Sequence, residues 1–279
     1  MEQRIIQGLP PSFHQTFLPE RRNLSALLKI AAENFKGSIE SISEKTSIPT
    51  GKSSGKVKPH IQYAEAMGLI DCTSEGSGEY SLSLTSFGKL VLIEDLGLQE
   101  ELTQILLHLM MCRPIGGSSV WHTLFGKSRV SLGQKFSIED ATAFINRSLG
   151  PSKSIPGPIF STYKEQSSLA KSNQLSIAQN YVTRNHLPTN PDYYWGYIYC
   201  WLFSWENVAL TDQQIVFSGL EAKSGFFEIT GWNQIQIDNY LSWAENHQIV
   251  KVDRATGEVL LLRTVLSSVL ISKIYSELI

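Results

Sequence analysis

The residues whose types and spacing could do chemistry are concentrated between Thr46 and Ile70, in TSIPTGKSSGKVKPHIQYAEAMGLI. Gly51-Lys52-Ser53 is the tail of G-x-x-x-x-G-K-[ST], a loop whose backbone N–H groups curl around nucleotide phosphates. The strict pattern puts Thr46 where the first glycine belongs. The loop also needs a buried strand in front of it, whereas Ser38-Ile39-Glu40-Ser41-Ile42 reads as a charged helix. No downstream apolar strand ends in a carboxylate that stands out as a magnesium partner, so the nucleotide reading fails.

The other chemistry open to this stretch is electrostatic. Lys52, Lys56 and Lys58 fall within seven residues, with Ser53, Ser54 and His60 beside them. Pro59 suits only the first turn of a helix, so a recognition helix starts near Lys58 with Ile61, Ala64 and Met67 inward. Lysines delivered beside a helix N-terminus can grip phosphates, and Gln62 could reach an adenine edge in a major groove. The bland alternative is a solvated lysine-rich turn. Glu75 and Glu79, at the hairpin tip that follows, would repel phosphate.

The remaining candidates are thinner. Cleaving a phosphodiester with a metal requires clustered carboxylates or histidines. His14, Glu20, Glu94-Asp95 and Glu139-Asp140 are the residues to weigh, but adjacent carboxylates on a helix point apart and read as helix-start or surface charge. His14 with Arg21 and Arg22 could hold a phosphate; alternatively, His14 and Thr16 anchor the N-terminal arm. His108 and His122 sit among apolar residues and read as core. No nucleophile–base pair, cofactor motif or metal set can be assigned.

These residues need elements to position them. Leu24, Leu27, Leu28, Ala31 and Phe35 recur at helical spacing until Gly37, and Ser38 opens a short second helix with Ile39 and Ile42 inward. The third helix ends at Met67-Gly68. Strands follow at 69–72 and 80–84, and Thr85 caps a helix through Phe87, Leu90 and Val91. Three helices and a hairpin make a winged helix-turn-helix over residues 1–97. A helical middle region spans 98–150, with Leu102, Ile105, Leu106, Leu109 and Met110 buried and Ser137 capping a later helix. Gly150 to Pro158 reads as a loop or domain junction, followed by polar sequence to about Pro191. Residues 151–279 read as a helical C-terminal domain, with the aromatic run Tyr193–Trp205 as a core helix. That domain ends in a second winged-helix-like unit: a helix over 232–247 with Ile235, Tyr240, Leu241 and Ala244 among its apolar positions, strands at 249–252 and 258–262, and a last helix. The fold class is therefore mainly α.

Composition sets bounds. The 279 residues are 42% hydrophobic and 18% charged with a net charge of −2, which argues against a wholly basic nucleic-acid binder. Residues 1–70 carry nine Lys/Arg and six Asp/Glu, a net of +3, and the remainder fifteen and twenty, a net of −5. A local basic face on a mildly acidic body follows. Cys72, Cys112 and Cys200 form no C-x-x-C pair, so reduced thiols are expected rather than zinc or a disulfide framework. The N-terminus lacks an apolar signal core and the aromatic run is too short to span a bilayer, so a soluble, cytoplasmic protein without membrane contact is expected.

Several segments carry a family resemblance: FHQTFLPERRNLSALL, AEAMGLI, LSLTSFGKLVL, LTQILLHLMMCRP followed by VWHTLF, and STYKEQSSL. Together they resemble the SspB-like family of bacterial DNA phosphorothioation systems. The family's H-E-T-F segment with a nearby arginine corresponds to His14-Gln15-Thr16-Phe17 and Arg21 or Arg22, with Gln15 in place of the glutamate. The resemblance implies a winged helix, binding to double-stranded DNA, and work beside a cysteine desulfurase, an ATPase and a sulfotransfer enzyme in modification and antiviral defence. It also implies DNA nicking, with a divalent metal if the chain is a nickase. A homodimer, a transcriptional regulator and a protein adaptor remain alternative expectations.

Overall fold

A computed structural model describes residues 8–51, 55–74, 78–151, 156–255 and 257–278. Helix α1 (Arg21–Ala32) buries Leu24, Leu27, Leu28 and Ala31 on the stripe that their spacing dictates. It leads to β1 (Lys36–Ser38), α2 (Ile39–Thr46), α3 (Val57–Ala66), β2 (Ile70–Ser74) and β3 (Glu79–Leu84). Ser38 caps α2, its Oγ accepting from the Ser41 N–H at 3.3 Å. The three strands form one antiparallel sheet in the order β1-β3-β2. Periodicity did not reveal one of these strands: Gly37, read as a helix stop, lies in β1 and pairs with Tyr80.

The same order recurs twice. Helices α4 (Ser86–Glu94) and α5 (Glu101–Met111) lead to α6 (Ser119–His122), a π-helical turn (Thr123–Lys127) and α7 (Arg129–Leu132). Then come β4 (Lys135–Ser137), α8 (Ile138–Leu149), α9 (Pro156–Lys164), β5 (Leu175–Ala178) and β6 (Tyr181–Arg184), with sheet order β4-β6-β5. Helix α10 (Tyr194–Val208) precedes β7 (Gln214–Val216), α11 (Phe217–Ser224), α12 (Phe226–Thr230), α13 (Gln234–Asn246), β8 (Val250–Asp253) and β9 (Leu260–Arg263), with order β7-β9-β8. The third unit was expected, but the second was not. Its strands are four residues or fewer, and along β5 and β6 the buried positions are only Leu175, Val182 and Arg184. So little apolar alternation is easily read as a polar linker. The junction expected at Gly150 to Pro158 falls between α8 and α9 inside this unit; Pro156 to Pro158 belong to α9, and residues 152–155 lie outside the described residues.

Of the apolar positions of α13, Ile235 is 71% exposed, because Ile237, Tyr240, Leu241 and Ala244 already cover the core face. The last helix is a 3-10 segment, Ser267–Lys273, held against α10. The aromatic run is core as expected, with Tyr197, Trp201 and Trp205 fully buried. Among the described residues no helix is long and apolar enough to cross a membrane.

Thr85 ties the first sheet to α4, donating its hydroxyl proton to the Gly68 carbonyl at 2.6 Å and accepting from the Gly88 N–H at 2.8 Å. The contact is so close that a Cβ on Gly88 would lie 1.8 Å from the Leu69 carbonyl oxygen. Gly88→Ala is expected to lower the unfolding free energy by about 3 kcal/mol, because backbone rather than a movable side chain blocks the methyl. Gly219, inside α11, faces open space where a Cβ would lie, so Gly219→Ala is expected to raise stability by about 0.5–1 kcal/mol. Urea unfolding of both variants checks the two signs.

Candidate nucleic-acid interface

Helix α3 starts at Val57, which puts Pro59 in the first turn, where its missing N–H leaves no bond unmade. Ile61, Ala64 and Met67 face the core as their spacing required. Lys58 is exposed and Gln62 is half-buried, so both are offered at the surface of the helix. Lys52, Ser53 and Ser54 lie outside the described residues. The segment in front of them is helix α2 rather than a strand, which agrees with rejecting a nucleotide loop.

Lys56, at the N-cap of α3, turns back toward the protein. Its ammonium pairs with the Glu20 carboxylate and lies 5.7 Å from the Phe17 ring centre. It latches the N-terminal arm to α3 while keeping 30% of its side chain exposed.

Three nominated ligands are corrected, His60 and His14 by burial and Arg21 by its internal bonds. His60 is fully buried; its Nδ1–H donates to the Lys56 carbonyl at 2.7 Å. Its Nε2 accepts from the Glu20 N–H and the Asn23 amide, both at 3.2 Å. Burial therefore pushes its pKa down and keeps it neutral. His14 is also fully buried, packed edge-on to Phe13 and Trp121, with Nδ1 bonded to its neighbour's carbonyl, the Gln15 oxygen, at 2.9 Å. Arg21 donates to the carbonyls of Gly97, Leu98 and Gln166 at 3.2, 3.4 and 2.6 Å. The anchoring alternative for His14 thus describes its surroundings. Arg22 remains exposed.

The carboxylate pairs do not converge. Asp95 accepts from the N–H groups of Gln99 and Glu100, both at 2.8 Å, and so caps the start of α5. Asp140 accepts from the Ser137 hydroxyl at the start of α8. His108 is a core residue, bonded through Nδ1 to the Tyr163 hydroxyl at 2.6 Å. Among the described residues, no group of three or more His, Cys, Asp or Glu could hold a metal ion.

Sequence reasoning missed a cavity of about 500 Å³ between the second and third units. His122, Lys127, Phe217, Glu221 and Glu228 line it. The Nδ1–H of His122 donates to the Cys112 carbonyl at 3.0 Å, which leaves Nε2 as an acceptor. Its lining comes from two short segments, within 122–130 and 217–228, whose meeting in space carries no local signal.

The magnesium ion-bound crystal structure of SspB gives a TM-score of 0.74 at 17% identity, covering 99% of this chain and 90% of that one. This chain has the SspB fold. A second SspB crystal structure gives a TM-score of 0.73 at 17% identity, with coverage of 98% and 89%. No protein-family model and no curated protein matches the sequence. The likeness to SspB therefore lies in the arrangement of elements, and it agrees with the resemblance carried by the sequence segments.

Buried neutral histidines have a measurable consequence. Burial pushes His108 down to about 3 from its ordinary 6.5, so the folded imidazole refuses a proton that the unfolded chain accepts below pH 6.5. Stability present at neutral pH is lost as pH falls, and His14, His60 and His122 act in the same direction. Glu65, pushed up to about 7 by burial and by Asp71, has the opposite sign: its contribution is lost as pH rises from about 4.5 to 7. The His108 share is isolated by difference. In His108→Gln, the loss of unfolding free energy between pH 6 and pH 5 is expected to be smaller by about 1 kcal/mol, measured by urea titration at each pH.

Proposed function

We propose that this chain is a DNA-binding component of a bacterial DNA phosphorothioation system, gripping duplex DNA through the basic approach to α3. The observation that carries the reading is the placement of Lys58 and Gln62 at the surface of the third helix of a winged-helix unit, within a chain whose fold is that of SspB over 99% of its length. In such units this helix is the one that enters a groove, and its first turn presents cations to phosphates. Lys52 would add to that grip from the preceding loop. Lys56, already paired with Glu20, contributes a latch. Cysteine desulfurase, ATPase and sulfotransfer partners belong to the same proposal.

Fluorescence anisotropy across a salt series tests it, comparing wild type with Lys52→Glu/Lys58→Glu. Each lost lysine–phosphate contact lowers the slope of log affinity against log salt by about 0.9, so the double variant should lose about 1.8 along with most of its affinity. Equal slopes and affinities would remove α3 from the interface.

The magnesium-bound state of one SspB structure favours nicking as the second reading. No three-ligand carboxylate or histidine cluster among the described residues matches a metal centre, and no step is assigned through one. Conversion of supercoiled plasmid to open circles by the purified protein, abolished by chelation, is the expected outcome on this reading; supercoiled plasmid left intact with magnesium removes it.

A further inference from the structure

Arg184 ends β6 and is fully buried. Its Nη2 donates to the Ser128 hydroxyl at 2.7 Å and its guanidinium lies 4.6 Å from the Phe136 ring centre. Its Nε and Nη1 have no hydrogen-bond partner among the described residues. Arg129, the neighbour of Ser128, brings a second guanidinium to the same place, with Nε and Nη2 likewise buried and unbonded. The two arginines interact as like charges, and Glu228 is the carboxylate that acts on both. Glu228 also lines the cavity between the second and third units, as does Val130, the chain neighbour of Arg129.

The third unit supplies an internal control. Arg263 ends β9 as Arg184 ends β6. The N–H of each bonds the carbonyl of the residue just before the unit's first strand, Gln213 for Arg263 at 2.8 Å and Gln134 for Arg184 at 2.9 Å. Arg263 is answered by Glu206 of the preceding helix, at 3.2 Å. In the second unit the preceding helical segment answers Arg184 with a serine and a second arginine. One carboxylate, Glu228, faces two guanidinium groups there, and the excess buried positive charge is disfavoured unless another anion satisfies it. Gly231 completes the cradle: a Cβ there would lie 2.7 Å from the Arg129 Nη2.

We propose that Arg129 and Arg184 form an oxyanion site for a phosphate or phosphomonoester group, reached through the cavity lined by Glu228. The forked donors of two guanidinium groups match a tetrahedral oxyanion, and Lys127 at the cavity adds a third cation. The group is supplied either by a nucleic-acid end or by free phosphate. This site does not depend on α3 binding DNA.

Calorimetric titration of the full chain with inorganic phosphate, against chloride at matched ionic strength, tests the proposal. Saturable one-to-one binding is expected in wild type and at least about tenfold weaker in Arg129→Gln, which removes the half-exposed partner. Arg184→Lys keeps the charge but loses the fork, and should weaken phosphate in the same way if it folds. Gly231→Ala, which displaces the Arg129 side chain, serves as the further variant, with circular dichroism confirming the fold of each. Competition by an oligonucleotide bearing a 5′-phosphate, but not by its 5′-hydroxyl counterpart, supports the site and assigns a nucleic-acid end. Phosphate binding without such competition supports it and assigns free phosphate. No phosphate binding in wild type, or equal binding in Arg129→Gln, overturns the proposal.

Discussion

Burial of helix α10 on nearly every side is the constraint around which the three units are organised. A 15-residue helix carrying Tyr194, Tyr197, Tyr199, Trp201 and Trp205 can be stable in water only if neighbours from several directions cover it. Phe87 of α4 stacks on Tyr199 at 5.5 Å, and Arg113 lies 4.9 Å from the Phe203 ring centre. From the third unit, Phe227 and Tyr240 meet Trp201 at 5.4 and 6.1 Å. Gly196 makes the contact with α5 possible, since a Cβ there would sit 2.9 Å from a Leu106 methyl. Each large side chain fully buried there contributes about 1.5–3 kcal/mol.

Around that hub, polar side chains direct their hydrogen bonds to joining units rather than to solvent. Arg21 gathers three carbonyls from two loops, and Ser168 donates to the Pro19 carbonyl at 2.8 Å, so the N-terminal arm is stitched to both the first and second units. Arg113 donates to the Ala66 and Gly116 carbonyls, linking the end of α3 to the loop after α5. Loop carbonyls removed from water need donors, and arginine, with five N–H groups, supplies several at once. The same need explains why His14, His60 and Arg21 resemble a phosphate-binding set in sequence yet serve as wiring in space.

Repetition of one topology three times lets the units be compared with each other. All three sheets have the same strand order, but the end of the third strand differs: Leu84 in the first unit, Arg184 in the second and Arg263 in the third. An arginine at that place is neutralised by Glu206 in the third unit, where Glu206 also accepts from the Ser267 N–H and hydroxyl at 2.7 and 2.6 Å. Departures from a shared scaffold at a buried, charged position separate what the topology requires from what one unit has kept for another purpose.

Much of the architecture was legible in the residues. Helical spacing and caps located α1, α3, α5, α10 and α13, because a 3.6-residue apolar stripe is a local property. Thr85 and Ser137 announced helix starts because their hydroxyls cap N–H groups only three residues away. The second unit was hidden because its strands are too short and polar to alternate, and they are held by pairing with partners distant in sequence. Of the basic cluster, sequence alone determined that the charge exists and that a helix begins beside it. Only the tertiary structure decided which cations remain at the surface: Lys58 is free to face outward, Lys56 is drawn to Glu20, and His60 is enclosed. The same holds for Arg129 and Arg184, whose meeting no spacing foretells. Charge is carried by a residue type, but burial and partnership depend on contacts between residues far apart in the chain.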